Sequence, residues 1–336
     1  MEYLYLLAGL VLILAGANYL TDGSVALAER FRVPGFLIGL TIVAVGTSTP
    51  ELVVSVLSAI AGKSDVAIGN VVGSNIFNVF VILGICALIR PLVLTKENIR
   101  RDIPFGMAAS LVLLAVTSAR LVCAGADRIG RPDGIVMLAL YIGLMWYMIR
   151  TTKRQRSMPG AATGMTVPVS GAALKNGAQQ AEGTKKPMAL WLAGVMIAGG
   201  LAGLVFGGEM FLKSATAIAR TLGISESVIA TTLVAGGTSL PELASSVVSL
   251  LKGKAEMALG NVIGSNIANI LLILGISATI HPLTMGGITL TDILVVVLSS
   301  LLLFMAAFTF RSKKLDRWEG AIFLAIYIAY IWYLIR

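Results

Sequence analysis

The chain has 336 residues, of which 57% are hydrophobic and only 13% charged, with a formal net charge of +9. Ordinary soluble domains carry about 25% charged residues, so this composition excludes an ordinary globular protein and points to a helical membrane protein. Nucleic-acid binding is not the reading of the positive charge either, because the basic residues sit in short loops between apolar stretches, as topology signals do.

Several apolar stretches reach the roughly 20 residues that a helix needs to cross a bilayer, and backbone groups in lipid must bond within their own segment. Hydropathy predicts ten spans, at about 3–28, 33–61, 65–90, 103–120, 132–150, 188–220, 224–251, 256–280, 287–311 and 316–335. The first lacks a basic leader and a small-residue cleavage site, so it reads as a retained span. Asp22 falls near its end, as Glu209 and Lys213 do in the sixth, and all three are expected at the membrane interface. Between the fifth and sixth spans, 151–187 opens with Thr151, Thr152, Lys153, Arg154, Gln155 and Arg156 and continues in Gly, Ala, Ser, Thr and Gln. It has little to bury and reads as a flexible linker. Cys86 and Cys123 lie in or near spans, which argues against a disulfide framework. The single histidine, His281, leaves no zinc cluster.

The chain repeats itself. Residues 46–92, beginning GTSTPELVVSV, match 237–283, beginning GTSLPELASSV, at a constant offset of 191 with more than half the positions identical. GNVVGSNIFN (69–78) likewise pairs with GNVIGSNIAN (260–269). Such self-similarity marks a duplication. Five spans per half is an odd number, so the second copy enters the membrane from the opposite side, as in many secondary transporters. With the N-terminus outside, about 19 of the 26 Lys and Arg fall on cytoplasmic loops, Arg30, Arg100, Arg101, Lys252 and Lys254 among them; Arg120, Arg128 and Arg131 are exceptions. The expected organisation is a first repeat at 1–150, a cytoplasmic linker at 151–187 and an inverted second repeat at 188–336. The expected fold is an all-α polytopic membrane protein of ten transmembrane helices in the cell membrane, with helices 2, 3, 7 and 8 broken at an ion site.

Span 2 carries Gly46-Thr47-Ser48-Thr49-Pro50-Glu51 near its middle. Pro50 has no N–H and disfavours helix at the residue before it, so the helix is expected to break and to free carbonyls around Ala44 to Gly46. Thr47 and Ser48 are four and three residues before Glu51 and share a face with it. Span 7 repeats this with Ala235, Thr238, Ser239, Pro241 and Glu242, and two-fold pseudosymmetry brings Glu51 and Glu242 together near the midplane. A charge at the bilayer centre costs about 2.5–3.5 kcal/mol on the mildest scale and demands a partner. Carboxylates, hydroxyls and carbonyls suit a hard cation: Ca2+ takes about 6–8 oxygen ligands at roughly 2.3–2.6 Å, and no soft ligand is offered for copper, zinc or iron. Ser74 and Asn78, and Ser265 and Asn269, share helical faces and supply a further layer, with amide oxygens for an ion or donors for a glutamate. Gly69, Gly73, Gly260 and Gly264 allow close backbone approach. Asn70, Asn75, Asn261 and Asn266 read as caps at helix breaks.

On these motifs the sequence resembles the Ca2+/cation antiporter superfamily, specifically prokaryotic Na+/Ca2+ exchangers, over essentially its whole length. The paired GTSxPE and GNVxGSNxxN segments look like that family's two alpha-repeats. The resemblance implies ten helices, with the second and third of each half forming a core and the first and sixth sliding across it. It also implies an ion site of Ala44, Thr47, Ser48, Glu51, Ser74 and Asn78 with Ala235, Thr238, Ser239, Glu242, Ser265 and Asn269. Relatives that need K+ carry Asp where this chain has Asn269, so no K+ requirement is expected. The stretch 151–187 is too short for the Ca2+-sensing domains of eukaryotic relatives. The implied activity is electrogenic exchange of Ca2+ for Na+, with about three Na+ per Ca2+ on the family pattern, driven by ion gradients without a cofactor. The expected partners are Ca2+, Na+ and the lipid bilayer, with no nucleic acid; the oligomeric state is left open, a single chain being able to serve as the functional unit. H+/Ca2+ antiport through the same two glutamates is the nearest alternative. An intramembrane hydrolase lacks a histidine for Ser48 or Ser239, and a channel fits an enclosed acidic site less well than alternating access.

Overall fold

The apolar stretches fold as helices in the computed structural model, which describes residues 1–122, 128–156, 188–223, 235–309 and 313–335. In chain order the helices are α1 (Glu2–Phe31), α2 (Gly35–Thr47), α3 (Thr49–Ile60), α4 (Ser64–Ile89), α5 (Ile103–Val122), α6 (Arg131–Arg156), α7 (Leu190–Thr221), α8 (Leu240–Leu251), α9 (Ala255–Ile280), α10 (Leu290–Ala306) and α11 (Arg317–Ile335). A helical turn, Ala235–Gly237, precedes α8. By length and apolarity α1, α4, α6, α7 and α9 each suffice to cross a membrane, and α2 with α3 forms a sixth such span bent by 46°. The protein is therefore predominantly helical, with several apolar helices fit for a bilayer.

The helices depart from expectation at identifiable places. Helix α6 runs to Arg156, into the stretch read as linker, and 157–187 lies outside the described residues. So does 224–234, the first part of the seventh span. Helix α10 begins at Leu290 rather than near 287, because Thr289 and Asp292 form a capping box that satisfies the first amides. Helices 3 and 8 of the expected scheme are not broken. Both α4 and α9 are continuous, and each widens into a π-helical stretch, Asn78–Leu83 in one and Ala268–Leu274 in the other. Neither span contains a proline to remove a backbone donor, so the helix accommodates the change by inserting residues into a wider turn.

Helices α4 and α9 are the innermost spans, and Val71, Ile76, Phe80 and Ile82 of one join Val262, Ile267, Ile270 and Leu274 of the other in the main core. Across the repeats, α2 lies directly on α9: a Cβ added to Gly260 would strike the Phe36 carbonyl, and one on Gly264 the Leu40 carbonyl. The expected role of these two glycines in close approach is what the fold uses. Around Gly73 the described residues leave open space. Helices α1 and α7 form a second close pair, through Gly9, Gly16 and Gly23 facing Gly207, Gly200 and Ala193. A Cβ on Gly16 would sit 2.7 Å from both the Gly200 carbonyl oxygen and the Leu204 nitrogen, so the two backbones touch.

Two short antiparallel ribbons tie the ends of the helices. Strand β1 (Leu92–Val93) pairs with β4 (Lys314–Leu315), and β2 (Arg128–Ile129) pairs with β3 (Leu283–Thr284). Strands β1 and β3 stand at equivalent positions of the repeat, 191 residues apart, yet they belong to different ribbons.

Candidate functional site

The two helix breaks have the same construction. Ser48 leaves the helix at φ −79°, ψ 11°, and Ser239 at φ −89°, ψ 8°. Pro50 and Pro241 then lie in the first turn of α3 and α8, where a missing N–H costs nothing, and Glu51 and Glu242 follow in the same turn. Each carboxylate thus sits at a helix N-terminus, where the backbone dipole favours negative charge. Expectation and structure differ over the freed carbonyls. Pro50 cannot donate to Gly46, but the Thr49 hydroxyl does so at 2.7 Å. The Ala44 carbonyl accepts the Ser48 amide at 3.0 Å and lies 3.4 Å from the Thr47 and Ser265 hydroxyls. Neither carbonyl is released by the break.

Glu51 and Glu242 are both fully buried. Their hydrogen bonds cross between the repeats: Ser48 donates to Oε1 of Glu242 at 2.8 Å, and Ser239 donates to Oε1 of Glu51 at 3.0 Å. Ser74, from α4, reaches the same Glu51 oxygen at 3.4 Å. The other oxygen of each glutamate, Oε2, is buried with no hydrogen-bond partner among the described residues. None of the ion pairs among the described residues includes either glutamate. Each carboxylate thus has one satisfied and one open oxygen, and an unpaired buried charge is strongly unfavourable.

A second crossed pair stands behind the first. Thr47 donates to Oδ1 of Asn261 at 3.3 Å, and Thr238 to Oδ1 of Asn70 at 3.3 Å. The Asn70 amide in turn donates to the Glu51 carbonyl at 3.1 Å and to Ser55 at 3.0 Å. That of Asn261 reaches the Glu242 carbonyl at 3.3 Å and Ser245 and Ser246 at 2.9 Å each. Asn70 and Asn261 lie inside α4 and α9 and are not helix caps, and the same holds for Asn75 and Asn266. A polar residue inside an apolar span must find a partner; here the partner of Asn70 and Asn261 is the threonine of the opposite break. That pairing was available in the sequence only as the joint recurrence of Asn70 with Asn261 and Thr47 with Thr238.

Asn78 opens one π-helical stretch, Asn269 is the second residue of the other, and both are fully buried. Neither donates to a glutamate, contrary to one of their expected roles. The Asn78 amide donates to Oδ1 of Asn266 at 3.0 Å, which leaves its own Oδ1 unpartnered among the described residues; both amide atoms of Asn269 are unpartnered. The structure therefore brings Ser239 and Ser74 onto Glu51 and Ser48 onto Glu242, and links Ser265 to the break through Ala44. Thr47 and Thr238 bond outward to asparagines, and Ala235 begins the turn before its break. Of the residues expected at the interface, Asp22 pairs with Lys252 at 2.6 Å, and exposed Glu209 and Lys213 pair with each other at 2.6 Å.

A family model described as "Sodium/calcium exchanger protein" matches residues 1–150 and 192–336. The chain belongs to the sodium/calcium exchanger family. Among members similar to it, a putative antiporter CaxA from Alkalimonas amylolytica is 34% identical over 329 residues, covering 97% of this chain and 96% of that one. A sodium/calcium exchanger, MaX1, from Methanosarcina acetivorans is 32% identical over 352 residues, covering 98% and 97%. The solved structure of the sodium-calcium exchanger NCX_Mj, soaked with zero Na+ and Ca2+, superposes with a TM-score of 0.78 at 32% identity, covering 99% of this chain and 98% of that chain. Membership thus extends over the full fold.

Proposed function

We propose that the protein is a secondary active antiporter that exchanges Ca2+ for Na+ by alternating access, with the ion bound between Glu51 and Glu242. The observation that carries this reading is the crossed serine pair. Each break donates a hydroxyl to the other break's carboxylate, leaving one open oxygen on each glutamate in a fully buried position. A serine that donates a hydrogen bond to a carboxylate keeps its lone pairs, so Ser48 and Ser239 orient the acids and serve as ligands in addition. With Oδ1 of Asn78 and Asn269, the hydroxyls of Thr47, Thr238, Ser74 and Ser265 and the carbonyls of Ala44 and Ala235, oxygen donors suffice for a hard cation. The long 3.4 Å contacts of Ser265 and Thr47 to Ala44 are weak enough to yield to an ion.

Two bare carboxylates are costly to carry past apolar walls, and one Ca2+ or two Na+ neutralise them. Only the loaded site then permits the switch between faces, which makes the transport an exchange. A third Na+ held by neutral oxygens makes it electrogenic, and asparagine at both 78 and 269 gives two acids rather than three, in keeping with K+ independence. The architecture proposed is ten transmembrane helices in two inverted repeats, the bent α2–α3 pair counting as one. Support comes from the ribbons: equivalent strands β1 and β3 pair with different partners, as expected if they lie at opposite membrane faces. The N-terminus is placed outside and 151–187 in the cytoplasm.

The test is Ca2+ uptake by purified protein in liposomes with Na+, H+ or K+ gradients imposed in turn. Uptake driven by an outward Na+ gradient and indifferent to K+ is expected. Uptake driven by a pH gradient without Na+ would establish proton antiport instead.

A further inference from the structure

Asn75 and Asn266 stand at equivalent positions of the two repeats, each three residues before a candidate ligand, Asn78 or Asn269. Equivalence requires that a bond between Asn78 and Asn266 have a twin between Asn269 and Asn75. The structure makes only one of the two. Asn78 donates to Oδ1 of Asn266 at 3.0 Å, and Asn266 turns its own amide toward the Asn75 carbonyl at 3.5 Å. On the other side Asn75 donates back to Val71 at 2.7 Å, and its Oδ1 is buried and unpartnered among the described residues. Both amide atoms of Asn269 are likewise unpartnered. The acceptor and donor of the missing twin bond are thus the very atoms left open.

We infer that Asn75 and Asn266 are positioning residues that hold the two ligand amides in turn, Asn266 gripping Asn78 in one access state and Asn75 gripping Asn269 in the other. This rests on the antiport reading above. In a transporter built from inverted repeats, the inward and outward states are related by exchange of the two halves' conformations. An asymmetry within one state is therefore the mirror image of the asymmetry in the other. The gripped amide has its oxygen aimed; the released one can turn to an arriving ion. Because each bond belongs to one state only, it biases the equilibrium between them as well as shaping the site.

The experiment is uptake and release of Ca2+ in liposomes holding the protein in one orientation, with the apparent KM measured at each face. The apparent affinity at a face follows the fraction of protein open to it. Asn266→Ala removes the bond of one state and Asn75→Ala that of the other. The ratio of the two KM values is therefore expected to move about fivefold in one direction for the first variant and about fivefold in the opposite direction for the second. The double variant returns the ratio close to its original value. A purely structural role lowers flux without this change of sign. Shifts in the same direction, or no shift, overturn the inference. If an alanine variant fails to reconstitute, Asn266→Ser or Asn75→Ser takes its place, and the opposite signs at the two positions remain the test. The ratio is read with whichever gradient drives uptake in the unsubstituted protein, so loss of Na+ coupling would sink the Na+ reading while leaving this measurement intact. Absence of any Ca2+ flux in the unsubstituted protein would overturn both.

Discussion

Replacing Glu51 by glutamine removes one charge from the proposed site with almost no change of shape. The Ser239 hydroxyl, now 3.0 Å from Oε1, can donate to an amide oxygen as it does to the carboxylate, so the helix break is expected to survive. The ion is affected far more. At a Ca2+–oxygen distance of about 2.4 Å and an effective dielectric constant of about 20, a divalent cation and one carboxylate attract by roughly 14 kcal/mol. Dehydration of the two ions offsets several kcal/mol each. A residue of even about 4 kcal/mol corresponds to about a thousandfold loss of Ca2+ affinity. Both Glu51→Gln and Glu242→Gln should therefore reduce Ca2+ flux in liposomes below detection, while each elutes as a monodisperse peak from size-exclusion chromatography. Flux within tenfold of the unsubstituted protein in either variant would refute the shared two-carboxylate site.

The backbone contact between α1 and α7 gives a second expectation. Gly16→Val drives a side chain into the Gly200 carbonyl and the Leu204 nitrogen, and since backbone cannot step aside, overpacking of about 1–3 kcal/mol should lower the thermal midpoint in detergent by several degrees. Asp22→Asn opens a partly exposed ion pair with Lys252, whose side chain also bonds the Asn18 carbonyl, so the midpoint should move little, in line with about 0–1 kcal/mol for such pairs. Thr289→Ala deletes the capping box at the start of α10 and should cost about 1 kcal/mol, measured by the same melting experiment, with transport retained because the cap lies outside the site.

Much of the fold was legible because proline and acidic residues are hard to ignore in an apolar chain. Pro50 and Pro241 forecast the breaks at Ser48 and Ser239, and the repeat at an offset of 191 made the two breaks equivalent. The π-helical stretches were not legible. No residue type compels a wider turn, and asparagine at 78 and 269 is compatible with an ordinary helix. The start of α10 was legible in Thr289 and Asp292, whose spacing is that of a capping box, but hydropathy alone placed the boundary near 287. Such a boundary is set by which backbone amides find a partner, and hydropathy does not measure that.

The site divides along a similar line. Glu51 and Glu242 could be picked out because a buried charge in an apolar span has no benign explanation once it occurs twice in the same surroundings. What recurrence does not reveal is contact. An internal repeat states which residues are equivalent, and equivalence is satisfied equally by serines that bond within their own half or across to the other. The structure chooses the crossed arrangement, for the hydroxyls of Ser48 and Ser239 and again for those of Thr47 and Thr238. The choice has a functional consequence. If each half satisfied its own glutamate, the halves could move independently and the carboxylates would have no reason to meet. With Ser48, Ser239, Thr47 and Thr238 each donating to the opposite half, the site is completed only where the two repeats close on each other. On the proposed reading, an ion drawn to both open oxygens ties the site helices of the two repeats into one unit.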